Sequence, residues 1–202
     1  MEILKGIILL LLVLVGFTMF SLKMPKGMKA MGALAGAATA SFLVEAFHFY
    51  VGGDLFGITI LRDLGAASGG MGGVAAAILV ALALGSSPVY AVLIGCGVSG
   101  FGILPGFFAG YVLGFVLPKM EEKIPDGIDL IAVIVIAAPL ARLVAIGADP
   151  LVNATLINIG KIITQATAQS PTIMAIILGG VITVVATAPL SSMALTAMLG
   201  LT

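Results

Sequence analysis

The 202-residue chain is 61% hydrophobic and 9% charged, with no net charge and a mean hydropathy of +1.28. A soluble domain carries about 25% charged residues, so the 9 basic and 9 acidic side chains here do not cover a water-facing surface. The charge balance gives no basic face for nucleic acid, and a single cysteine, Cys96, rules out an internal disulfide or a cysteine-rich metal centre.

Lipid is therefore the expected solvent, and the fold class read from composition is all-α: a polytopic transmembrane helical bundle of about six spans with broken or re-entrant helices. A crossing needs roughly 20 apolar residues. The first is Gly6–Leu22, "GIILLLLVLVGFTMFSL". A cleaved signal peptide is the alternative, but no A-x-A-type site follows; Lys23, Lys26 and Lys29 come instead. By the positive-inside rule this basic cluster marks the cytoplasmic side and puts the N-terminus outside.

The second span is expected near Ala30–Val51, beginning with the small-residue run "AMGALAGAATAS" that permits close helix contact. Residues 52–73 hold Asp54, Arg62 and Asp63 and read as a loop or a re-entrant piece buried in protein. A third span is expected over Gly70–Leu84. No charged residue occurs from Pro88 to Pro118, and one long helix kinked at Pro105 is the preferred reading over two shorter pieces. "KMEEKIPDGID" is a polar loop whose side of the membrane stays open. Leu130–Ala148 is the fifth span, carrying Pro139 and Arg142. Residues 149–171 mix apolar positions at helical spacing with polar partners, as an amphipathic or cavity-lining helix does. Thr172–Ala188 is the sixth span. The chain then ends inside an apolar run, which reads as part of a longer protein.

Charges inside lipid cost on the order of 2.5–3.5 kcal/mol and face a bundle interior or a water cavity. Glu45 and His48, in "SFLVEAFHFY", lie three apart and share one helix face. They either satisfy each other or a loop, or line a polar cavity. Glu-x-x-His is also a di-iron spacing, but with one histidine in the chain a second motif is missing, so no metal or other cofactor is expected. Arg142 pairs with Asp149, takes an anionic ligand, or snorkels to the interface. Asn153, Asn158, Lys161, Gln165 and Gln169 supply donors and acceptors suited to a hydroxyl-rich solute, or to a helix lying on the surface. Ser191 and Ser192 follow Pro189 in apolar sequence, the pattern of a broken helix at a transport site.

The runs "GILPGFFAGYVLGFVLPKMEEKIPDGIDLI" and "QSPTIMAIILGGVITVVATAPLSSMALTAMLGLT" resemble the membrane-embedded EIIC family of the bacterial phosphoenolpyruvate-dependent sugar phosphotransferase system, on the branch of the PfoR-type regulators. The resemblance implies that residues 1–202 form a single EIIC-like transmembrane domain, the N-terminal portion of a longer one, in the bacterial inner membrane. It implies a homodimer that binds a sugar and presents it to IIA and IIB components, with no phosphorylation site of its own. The family's sugar-site residues do not map here position by position. Glu45, His48, Asn153, Asn158, Gln165, Ser191 and Ser192 are chosen as substrate-binding from their chemistry, with no catalytic residue and no metal ligand. A membrane regulator without transport and an ion-coupled transporter without phosphoryl transfer remain as alternatives.

Overall fold

The computed structural model describes residues 2–125, 127–152 and 172. They form helices, in chain order α1 (Glu2–Lys23), α2 (Gly27–Leu55), α3 (Thr59–Gly70), α4 (Gly72–Leu84), α5 (Pro88–Gly97), α6 (Ile103–Lys123) and α7 (Ile128–Val152), with no strand among the described residues. Three of these, α2, α6 and α7, are long and apolar enough to cross a membrane, and α3 with α4 makes a fourth if that pair, bent by 56°, is one span. Residues 153–171 and, beyond Thr172, the expected sixth span lie outside the described residues.

Glycine and alanine set the architecture. On α6, Gly106, Gly110 and Gly114 recur every four residues and face Gly73, Ala77 and Ala81 of α4. A Cβ on Gly110 would stand 2.6 Å from the Ala77 carbonyl oxygen, and one on Gly114 2.6 Å from Leu84 Cδ1. The two backbones therefore touch directly, the geometry that small residues four apart allow. The matching order of contacts makes α4 and α6 parallel.

This α4–α6 pair is a wall with a core on each side. One face, with Ala76, Val80, Phe107 and Tyr111, packs on Ala30, Met31, Leu34 and Ala37 of α2. The other, with Ala77, Ala81, Ala109 and Leu113, packs on Ile94 of α5 and on Val133, Ala137, Ala141 and Ala145 of α7. That α7 stripe again repeats every fourth residue, a ridge that seats in a neighbouring groove. Outward, α1 exposes Ile8, Leu12, Val15, Met19 and Leu22 along one side, as a helix bathed in acyl chains does.

One end of the bundle collects the lysines. Lys26 takes a left-handed backbone conformation (φ 53°) between α1 and α2, and its ammonium donates to the Leu84 carbonyl at the end of α4 while sitting 5.7 Å from the Phe115 ring centre. Tyr111 donates its hydroxyl proton to the Pro25 carbonyl at 2.8 Å. Phe20 packs edge-on against Phe107 and Tyr111 at 5.4 and 4.9 Å. Lys23, Lys26 and Lys29 thus share an end with Lys119 and Lys123; these last two, expected in a polar loop, lie instead in the last turns of α6, which therefore ends on the lysine-rich side.

Two expectations are corrected. Pro88–Pro118 is not one kinked helix. It is α5 and α6, separated by turns at 98–102 in which Gly100 has φ 86°. Pro105 does not break anything, because it occupies the first turn of α6, where its missing N–H has no intrahelical partner to lose. A Cβ on Gly95 would clash with Ile78, so α5 runs antiparallel to α4. The chain therefore enters at Pro88 and returns by Lys123 to the end it left.

The second correction concerns 52–73, which is helix rather than loop and folds back on α2 in the manner of the re-entrant alternative. Helix α2 continues to Leu55, turns at Gly57 (φ 70°), and α3 folds back on it. Gly52 and Gly53 lie against Leu61 and Arg62, and Gly65 against the Phe49 backbone. Arg62 holds Asp54 at 3.4 Å and stacks 5.0 Å from the Phe49 ring. Of the charges that argued against contact with lipid, Asp54 and Arg62 are thus paired within one hairpin, at the end of the bundle opposite the lysines.

Candidate functional site

Regular α-helix fails in two wide stretches of α2, Thr39–Leu43 and Ala46–Leu55, at the α3–α4 and α5–α6 breaks, and in the wide turn Val133–Ala137 of α7. In α2 the backbone widens to i→i+5 hydrogen bonding over Thr39–Leu43, and Ser41 donates to the Ala37 carbonyl at 2.8 Å. The break between α3 and α4 is beside it, since Gly72 would meet the Ser41 hydroxyl at 3.3 Å if it carried a Cβ. Gly73 abuts the Phe101 and Gly102 carbonyls in the α5–α6 break. Gly97, at the end of α5, lies against the Ala138 carbonyl, directly after the wide turn Val133–Ala137 of α7. Pro139 explains that turn, because its ring collides with the carbonyl four residues earlier in a regular helix. Ser41 is the midpoint of α2, about 20 Å from either end. Wide turns and helix breaks at such a depth are tolerated where protein or a cavity replaces lipid.

Arg142 supplies what the α5 terminus lacks. Its guanidinium donates to the Gly97 carbonyl at 3.0 Å and the Ser99 carbonyl at 3.4 Å, and lies 5.1 Å from the centre of the Phe101 ring. Helix side chains lean back toward their own N-terminus, which brings Arg142 from its position on α7 to the level of Gly97. Pairing with Asp149 is not what engages it. It caps the carbonyl end of a helix that stops inside the bundle, where the last carbonyls have no intrahelical donor.

One turn beyond Ser41, Glu45 lies on the face of α2 toward α3, and His48 is half-buried three residues further on. The Glu45 carboxylate rests on the bare Cα of Gly69, which a methyl group would displace. It is half-buried and makes no hydrogen bond or ion pair among the described residues. The His48 Nδ1 lies 2.9 Å from the Val44 carbonyl, so that nitrogen carries the proton and, in the neutral ring, Nε2 is left to accept. The two side chains do not bond each other. Asn153, Asn158, Gln165, Ser191 and Ser192 lie outside the described residues. Arg142 and the glycine-lined breaks escaped the choice of site residues, although Gly72–Gly73, Gly95, Gly97 and Gly100 together were a usable signal.

A bundle with helices interrupted at mid-depth and an unmet carboxylate beside the interruption is the architecture of a membrane component that handles a polar solute. The sequence model of the family described as phosphotransferase system, EIIC, matches residues 28–202. This chain belongs to the EIIC family. The EIIC match begins at the start of α2 and includes all of the interrupted segments, so α1 is the described helix outside it. No curated protein and no solved structure matched the chain. As an EIIC-family chain it is a membrane component of the phosphotransferase system, and apolar exposure along α1, α2 and α7 agrees with a lipid environment.

Proposed function

We propose that this chain is the permease unit of a phosphotransferase-system sugar transporter, binding a sugar beside the interrupted helices and presenting it to a partner IIB component. The observation that carries the reading is Glu45, a half-buried acceptor with no donor among the described residues. An unmet polar group away from water costs about 1–3 kcal/mol, and a sugar hydroxyl is a donor of the right kind. His48 adds an acceptor three residues on, and Asn153, Asn158, Gln165, Ser191 and Ser192 complete the proposed hydrogen-bonding set. The IIA and IIB components would stand at the lysine-rich end, taken as cytoplasmic by the positive-inside rule, on a homodimer in the bacterial inner membrane.

The test is equilibrium binding of a sugar panel to the full chain in detergent. Glu45→Gln should weaken the best ligand about tenfold or more, the loss of one hydrogen bond to a charged group, and His48→Ala should weaken it less. Unchanged binding in both variants would remove the site from these residues. Absence of binding by every sugar, with the fold intact, would favour a regulator of the PfoR type. Uptake without any phosphocarrier would favour an ion-coupled transporter.

A further inference from the structure

Where α6 leaves the bundle, Phe115, Val116, Lys119, Met120, Lys123 and Ile124 line an open groove of about 340 Å³. Their spacing makes two parallel ridges. Phe115, Lys119 and Lys123 form one at intervals of four, and Val116, Met120 and Ile124 form the other. The groove is therefore apolar toward the bundle and cationic toward the lysine-rich end. Lys26 lies 5.7 Å from the centre of the Phe115 ring while donating to the Leu84 carbonyl, outside the groove's lining. Glu121 and Glu122 on the same helix are not among its lining residues. Lys119 and Lys123 are exposed and form no ion pair among the described residues.

We propose that this groove is a binding site for an anionic phospholipid, with the headgroup phosphate between Lys119 and Lys123 and the first acyl methylenes along Phe115, Val116 and Met120. A small water-soluble anion would use the lysines and leave the apolar ridge bare. A zwitterionic lipid would use the ridge and bring no net charge to the lysines. Only an amphipathic anion answers both halves. Basic residues at the membrane boundary attract anionic headgroups, and long lysine side chains keep their stems on apolar surface while the ammonium reaches the phosphates. The site lies at the opposite end of the helix from the interrupted segments and does not depend on the sugar-binding reading.

Native mass spectrometry of the full chain, released from detergent after incubation with defined lipid, reads the retained molecules directly. Phosphatidylglycerol should be retained in preference to phosphatidylcholine. Apparent affinity for it should fall roughly tenfold or more in the Lys119→Gln, Lys123→Gln double variant, as two surface lysines warrant. The matched Lys119→Arg, Lys123→Arg variant keeps both charges and should retain phosphatidylglycerol, which separates loss of charge from damage to the fold. Equal retention of phosphatidylcholine, undiminished phosphatidylglycerol in the glutamine variant, or loss of it in the arginine variant would each overturn the proposal. So would protection against thermal unfolding by inorganic phosphate equal to that by the lipid, since the site would then take a free anion.

Discussion

Arg142 joins three features that are individually costly in lipid: a cation, a helix end and a break in the chain. Its guanidinium binds the Gly97 and Ser99 carbonyls and covers the Phe101 ring, so each neutralises the demand of another. Removing the guanidinium leaves carbonyls without donors at mid-depth. Arg142→Ala should therefore destabilise the chain by about 1–3 kcal/mol. Arg142→Lys, which keeps the charge but not the planar fork, should recover part of that loss. Thermal denaturation in nanodiscs measures both, and an alanine variant as stable as the parent would refute the capping role. Glu45 allows a different kind of test through its neighbour. Gly69→Ala places a methyl group where the carboxylate now rests, and the carboxylate, as the end of a flexible side chain, can swing away. Sugar binding should fall in this variant nearly as far as in Glu45→Gln, with less than about 1 kcal/mol of stability lost. Normal binding in Gly69→Ala would mean that the position of Glu45 against α3 is irrelevant to the ligand.

The α4–α6 contact turns the same reasoning on a pair of helices, because Gly110 and Gly114 on one face of α6 meet different obstacles. At Gly110 the obstacle is the Ala77 backbone, with the carbonyl oxygen at 2.6 Å and Cα at 2.8 Å from a new Cβ. At Gly114 the nearest atom is Leu84 Cδ1, the far end of a side chain. Gly110→Ala should cost about 1–3 kcal/mol or more, as overpacking does, and Gly114→Ala distinctly less. Gly32→Ala, with nothing within 4 Å, should be neutral or stabilising by up to about 1 kcal/mol through the lower entropy of the unfolded chain. Equal melting temperatures for the three variants would show that α4 and α6 do not touch backbone to backbone. These contacts also explain what could be read from the sequence. Run length and hydropathy located α4 and α7 closely, since a crossing must bury its own polar backbone whatever it packs against. The α5–α6 break went to the wrong residue because Pro105 is a conspicuous breaker, while the true interruption, Val98–Gly102, is apolar and glycine-rich. Its instability as a helix is visible only beside Gly73 and Arg142, which are distant in sequence. In the same way, residues 52–73 looked too polar for lipid until Arg62 was seen to engage Asp54 and Phe49. Of the proposed site, Glu45 could be singled out as a carboxylate inside an apolar run. The empty Cα of Gly69 that makes room for the carboxylate could not.

Across the whole molecule, the fold ties together charges that the chain scatters. The anchoring of Lys26 on Leu84 and Phe115 brings Lys23, Lys26, Lys29, Lys119 and Lys123 to one end, whereas the α2–α3 hairpin carries the Asp54–Arg62 pair to the other. A lysine cluster of this kind is retained on the cytoplasmic side, so the hairpin tip at Phe56 should face outward, about 20 Å beyond the interrupted belt. Cysteine scanning tests the orientation and the fold together. In a Cys96→Ala background, Phe56→Cys should react with a membrane-impermeant maleimide on intact cells, and Lys119→Cys should react only after the membrane is opened. The reverse result would invert the protein in the bilayer while leaving the helix packing untouched. Labelling of both positions from outside would be more damaging. It would separate the two ends differently from the way α2, α4 and α6 hold them, and with that the common level of Ser41, Gly73, Gly97 and Arg142 would lose its meaning as a single interrupted plane.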